Sequence, residues 1–148
     1  MAAVVGALVT VAGCTPDAVS VAPPSPGGQV LEQCDHLNNR LPAKITGLHT
    51  RPTNPQSSLT HAWGSPPITL ACGVPRPAGY SPTSSATLDV NGVRWFQKVG
   101  HDVVVWTAVR PGPAPAGRIY VALRVPTSYQ ASDGFLTALA EPLKIALP

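Results

Sequence analysis

Between Leu88 and Trp95 the chain reads Leu88-Asp89-Val90-Asn91-Gly92-Val93-Arg94-Trp95, and such a string leaves the backbone little choice. Asn-Gly between two alternating runs predicts a two-residue type I′ turn, because both turn positions need positive φ. That turn fixes the register. Val90 falls opposite Val93 and Leu88 opposite Trp95 on one apolar face. Asp89 falls opposite Arg94 on the other, a charge pair worth tenths of a kcal/mol to about 1 kcal/mol. A chain with this hairpin is committed to an antiparallel sheet with one buried face.

Other segments extend that sheet. Ile68, Leu70 and Cys72 alternate on one face of a predicted strand, and Val103–Arg110 and Arg118–Val125 read as two more. Ile119, Val121, Leu123 and Val125 make an inner face, with Arg118, Tyr120 and Arg124 on the other. The proline-rich loop Pro111–Gly117 joins these two strands. Helical spacing appears twice. Val30, Cys34, Leu37 and Leu41 form one helical face within residues 29–41, stopped by Pro42. Near the other end, Ser132 or Asp133 caps a helix carrying Leu136, Leu139 and Leu143, and Pro142 is expected to kink or end it. Residues 43–66, punctuated by Pro52, Pro55 and Pro66, read mostly as loop, as do residues 73–86. The predicted architecture is α+β: an antiparallel sheet of four to five strands with an N-terminal and a C-terminal helix packed on one face.

The first residues carry an address. Residues 2–12, AAVVGALVTVA, form an uncharged apolar run. It is too short for a helix spanning a bilayer, which takes about 20 apolar residues, and it matches the apolar region of a signal peptide. Val11-Ala12-Gly13-Cys14 follows and resembles the lipobox of bacterial lipoproteins, although Met1-Ala2-Ala3 lacks the usual Lys or Arg. The resemblance implies cleavage after Gly13 (signal peptide 1–13), diacylglycerol on the Cys14 sulfur, and a lipid anchor at the outer face of the cytoplasmic membrane. The other reading is a buried apolar strand with a stray thiol. Residues 14–28 then read as lipidated cysteine plus a Pro-, Ser- and Gly-rich tether reaching about 40 Å, ahead of a single domain at 29–148.

The lipobox removes Cys14 from a count of 3 cysteines. Cys34 and Cys72 remain, each on a predicted inward face, one on a helix and one on a strand. Exported proteins sit where disulfides persist, so a Cys34–Cys72 bridge is expected. Two unpaired buried thiols are the alternative.

A longer stretch carries a family resemblance: Trp63-Gly64-Ser65-Pro66-Pro67-Ile68-Thr69-Leu70-Ala71-Cys72-Gly73-Val74-Pro75-Arg76-Pro77. With Cys34, Leu41-Pro42, Val93-Arg94-Trp95 and Val125-Pro126, it resembles the DUF3515 proteins, small secreted or lipid-anchored actinobacterial chains of unknown function. The resemblance covers roughly residues 30–148 and brings no assigned activity; relative to it, Pro111–Gly117 reads as an insertion. Seven Arg to three Lys, with abundant Ala, Val, Gly and Pro, fits a GC-rich source.

Signals for chemistry are sparse. His36, His49, His61 and His101 lack the i, i+4 spacing of a helical zinc site, so no metal or other cofactor is expected. There is no G-x-S-x-G, and a Cys-His enzyme would need a thiol that the bridge consumes. A net charge of +3 without a basic run argues against nucleic acid. Aromatic and arginine side chains are enriched where partners bind, which marks Trp63, Trp95, Trp106 and Arg76 for attention. Trp95 sits on the hairpin's core face, and Trp63 and Arg76, flanking the strand to Cys72, are the binding candidates. The expectation is a non-enzymatic binding or accessory domain at the cell envelope, held to the membrane by lipid and facing an envelope protein or wall polymer. The alternative is a small envelope hydrolase or transferase. It requires at least two of Asp35, His36, His49, His61 and Asp102 to converge in a cleft.

Overall fold

The fold was obtained as a computed structural model that describes residues 17–115 and 117–148. Cys14 and the signal-peptide and lipobox readings lie outside the described residues.

The chain is α+β, with two helices and a large antiparallel sheet. Its elements are β1 (Val19–Ser20), α1 (Gly28–Asn38), β2 (Lys44–Ile45), β3 (Leu48–Arg51), β4 (Thr53–Asn54), β5 (Thr60–Trp63), β6 (Ile68–Cys72), β7 (Thr87–Val90), β8 (Val93–Val99), β9 (Val103–Pro111), β10 (Arg118–Pro126) and α2 (Asp133–Ala146). The sheet has eight strands in the order β2-β3-β5-β6-β10-β9-β8-β7, and β1 pairs with β4 in a separate two-stranded ladder. Two meanders therefore meet at one seam, where β6 runs antiparallel to β10 with Leu70 opposite Leu123 and Cys72 opposite Val121.

The hairpin forms with the register its sequence dictates. Asn91 and Gly92 have φ of 49° and 83°; Val90 faces Val93, Leu88 faces Trp95 and Asp89 faces Arg94. One face of the sheet, the inner face, contributes Leu70, Cys72, Trp95, Ala108, Ile119, Val121, Leu123 and Val125 to the main core. Cys34 and Leu37 of α1 and Leu136, Leu139 and Leu143 of α2 join that same core. The outer face has a small cluster of its own, in which Tyr80 from the 73–86 loop packs on Phe96, Val109 and Tyr120.

Three expectations need correction. The sheet has eight strands, not four or five, because residues 43–66 are not mostly loop but supply β2, β3 and β5 to it, with β4 pairing β1. Proline is tolerated there because Pro52 and Pro55 flank the short β4 and Pro66 sits in the β5–β6 turn, where no ladder N–H is required. Pro142 does not end helix α2, which continues to Ala146. The missing N–H and the ring cost about 3 kcal/mol, but Leu139, Leu143, Ala146 and Leu147 are all buried on that stretch, and their burial offsets the loss.

The third correction is the tether. Residues 17–26 do not hang free but lie on the domain. Val19 is buried, its N–H donates to Pro52 O at 2.8 Å, and Val21 N–H donates to Asn54 O at 3.1 Å. Arg51 clamps the start of the segment by donating to Asp17 O at 2.7 Å. Further on, Pro26 packs against Gly73.

Candidate functional site

The inner face is only partly covered. At the β7–β8–β9 end, the register that puts Leu88 opposite Trp95 also puts Gln97 opposite Trp106 and Val99 opposite Val104. Alternation carries all of these to the inner face. Leu136 of α2 and the 127–133 connection close the other side, leaving a cavity of about 430 Å³ lined by Leu88, Val90, Val104, Trp106 and Leu136, with Gln97, Thr127, Gln130, Ser132 and Asp133 around it. An apolar wall beside convergent polar groups is a usual make-up of a recognition groove. Leu88 is 39% exposed and Val99 68% exposed, two of the four large apolar side chains most open to solvent. Among the described residues Asp133 is the one charged residue lining the groove.

Rigid neighbours hold this groove. Tyr129 donates its hydroxyl to Pro66 O at 2.8 Å and meets the Phe135 ring edge-on with centroids 5.5 Å apart; burial pushes its phenol pKa up. Trp106 is 94% buried, since its exposure is 6%, and its indole N–H has no hydrogen-bond acceptor, like that of Trp95. A buried donor without a partner is uncommon in native folds. Ser132 precedes α2 without a side-chain capping bond, so its hydroxyl is not committed to the helix end.

The cysteines do meet. Cys34 and Cys72 form a disulfide with Cα atoms 5.7 Å apart, and both lie in the core. Trp63, in contrast, is fully buried. Its indole N–H donates to Pro42 O at 2.9 Å and its ring stacks against His61 at 4.4 Å. It is a core residue and offers nothing to a partner. Arg76 is exposed, donates to Tyr80 O at 2.8 Å and lies over the Tyr80 ring at 5.6 Å. It pins the loop that carries Tyr80 onto Phe96, Val109 and Tyr120.

The titratable candidates scatter. His36 lines a cavity of about 550 Å³ with Glu32, Gln33 and Arg40. His61 lines a different one of about 290 Å³ with Asn38, Arg51, Ser57 and Thr60. His61 lies 2.8 Å from Thr50 Oγ1 through Nε2 and 3.5 Å from Asn38 Oδ1 through Nδ1, and burial lowers its pKa. Asp35 accepts from Ser58. His49 is exposed on β3. Among the described residues the one His–Asp contact is His101–Asp102 at 2.7 Å, with side chains 94% and 89% exposed on a loop. Also among the described residues, no three of His, Cys, Asp and Glu gather as metal ligands, and no helix is long and apolar enough to cross a membrane.

Fold and groove together define a small disulfide-bonded α+β domain with an apolar recess at one end of its sheet. The profile of the DUF3515 family, described as proteins of unknown function, matches residues 1–148. The chain belongs to that family. No curated protein and no solved structure matches it.

Proposed function

We propose that this chain is an exported lipoprotein, anchored through Cys14 to the outer face of the cytoplasmic membrane. Its domain serves as a non-enzymatic binding or accessory module, and the Trp106 groove takes an apolar segment of an envelope protein. The groove carries the binding part of this reading. Leu88, Val90, Val104, Trp106 and Leu136 line it, and no Lys or Arg does. That lining suits apolar side chains and does not suit an anionic wall polymer. The address is supported by the sequence Val11-Ala12-Gly13-Cys14 and by the disulfide, which persists in an oxidising compartment.

Two measurements test the reading. Intact mass of protein taken from its native membrane should give a chain starting at Cys14 with acyl mass added. An unmodified N-terminus with three alkylatable thiols would sink the export argument. A photo-crosslinker at Gln97 should give a discrete adduct with an envelope protein, lost on Leu88→Arg and absent when the probe sits at Arg40. An adduct indifferent to Leu88→Arg would remove the groove from the proposal.

A further inference from the structure

The sheet separates charge. On the outer face the strands present Lys44, Arg51, Arg94, Lys98, Arg118 and Arg124. The registers fix this assignment. Arg51, Ala62, Thr69, Arg124, Val105 and Lys98 are successive cross-strand partners in one row, and direct partners share a face. Arg118 alternates with Tyr120 onto that face, and Lys44 sits opposite His49, two residues before Arg51. Strand acids there amount to Asp89, which is 3.4 Å from Arg94. The helices are net acidic: Glu32 and Asp35 lie in α1, and in α2 Asp133 and Glu141 outnumber Lys144, which pairs with Glu141 at 2.9 Å. Among the described residues Lys98 and Arg124 have no ion-pair partner, and both are exposed. With strands about 4.8 Å apart, Lys98 lies roughly 10 Å from Arg124 along the row, and Arg124 roughly 14 Å from Arg51.

A second, independent observation concerns where the chain comes from. Residues 20–22 and the outer-face residues Thr69, Ala71, Ala122 and Arg124 line one cavity. Asp17 is held by Arg51. Two residues separate Asp17 from Cys14, three backbone steps that span at most about 11 Å. A lipid on Cys14 therefore holds the outer face close to the bilayer, not at the end of a 40 Å leash.

We propose that the outer face of the sheet is a membrane-facing surface that lies on anionic phospholipid, leaving the Trp106 groove on the inner face turned away from the bilayer. The short lead from Cys14 is what selects a lipid surface over a soluble polyanion. The lead rests on the lipoprotein reading above; the charged face is tested without it.

The experiment is cosedimentation of the full chain and of its Lys98→Gln/Arg124→Gln variant with vesicles of phosphatidylcholine alone and of phosphatidylcholine with phosphatidylglycerol, at low and physiological salt. Any acyl chain or apolar leader is common to both proteins, so the difference between them isolates the face. A cation near an anionic surface contributes about fivefold in partitioning, so the variant should bind phosphatidylglycerol vesicles about 25-fold less at low salt. The difference should shrink with added salt and vanish on phosphatidylcholine. An Asp133→Asn/Glu141→Gln variant should bind as the wild type does, and circular dichroism confirms that each variant is folded. Equal binding of wild type and Lys98→Gln/Arg124→Gln to phosphatidylglycerol vesicles overturns the proposal. So does charge-dependent capture of soluble polyphosphate without vesicle binding. The acyl mass of the same preparations reports separately on the lipoprotein reading, so the two can fail independently.

Discussion

Breaking the Cys34–Cys72 bond should destabilise the domain chiefly through the unfolded chain. The two cysteines are 38 residues apart in sequence. Closing a loop of that size removes about 13 cal/mol/K of entropy from the denatured ensemble, or about 4 kcal/mol at 25 °C. For a chain of this length the loss corresponds to a fall in Tm of about 12–20 °C. Cys34→Ala/Cys72→Ala should lose somewhat more than chemically reduced wild type, because both sulfurs are buried and truncation leaves a small void. Urea titration followed by tryptophan fluorescence is a suitable assay, since Trp63, Trp95 and Trp106 are all buried and all report on unfolding. The uncrosslinked chains should also show a larger m-value, as their unfolded states expose more surface. A loss below about 1 kcal/mol in both the reduced and the doubly substituted protein would refute the loop-entropy argument.

Two further outcomes follow from particular contacts. The His61 pKa is lowered from 6.5 by burial, so the unfolded chain takes up a proton there before the native protein does. Its contribution is complete above pH 6.5 and is lost as pH falls through the depressed native value. The urea midpoint of wild type should therefore drop on acidification relative to His61→Gln, and parallel pH profiles would contradict this. Gly73 has φ of 83°, and a Cβ there would lie 2.8 Å and 2.9 Å from Pro26 Cγ and Cβ. Gly73→Ala should strain the backbone by roughly 1–2 kcal/mol and push residues 17–26 off the sheet, exposing Val19–Val21 to thermolysin. Unchanged cleavage kinetics there would show that the segment is held without Pro26.

What the sequence revealed and what it hid have physical causes. The Asn91-Gly92 hairpin and the two cysteines were legible because each is set by local geometry, turn conformation in one case and facing direction in the other. β5 was not. Thr60, Ala62 and Trp63 are all buried, so Thr60-His61-Ala62-Trp63 shows no inside-outside alternation. Its outer-facing Thr60 and Ala62, opposite Ala71 and Thr69, are as buried as the inner-facing Trp63. Nothing local in the sequence shows that the Trp63 N–H reaches Pro42 O. Trp106 stands out in the sequence as one of few aromatics, but for a similar reason the groove around it does not. It is assembled from β7, β8, β9, α2 and the connection before it, and its only local trace is apolar Leu88 and Val99 left exposed on an otherwise well-buried hairpin.

The strand order β2-β3-β5-β6-β10-β9-β8-β7 has a consequence for how this domain comes together. Every ladder in that sheet except one joins strands that are neighbours in the chain or nearly so. The exception is β6 with β10, a seam of four residue pairs from Thr69 to Cys72 and Val121 to Arg124. Each meander can form from its own short loops. Joining them requires closing the long stretch of chain between Cys72 and Val121, and non-local closure of that kind is the slow part of folding. Because the disulfide links α1 to β6, it organises the first meander and leaves the seam unassisted. Until β10 arrives, Leu70 and Cys72 sit on an edge strand with open backbone groups. The interval before the two halves zip is therefore when a newly made chain is most exposed to pairing with the wrong neighbour.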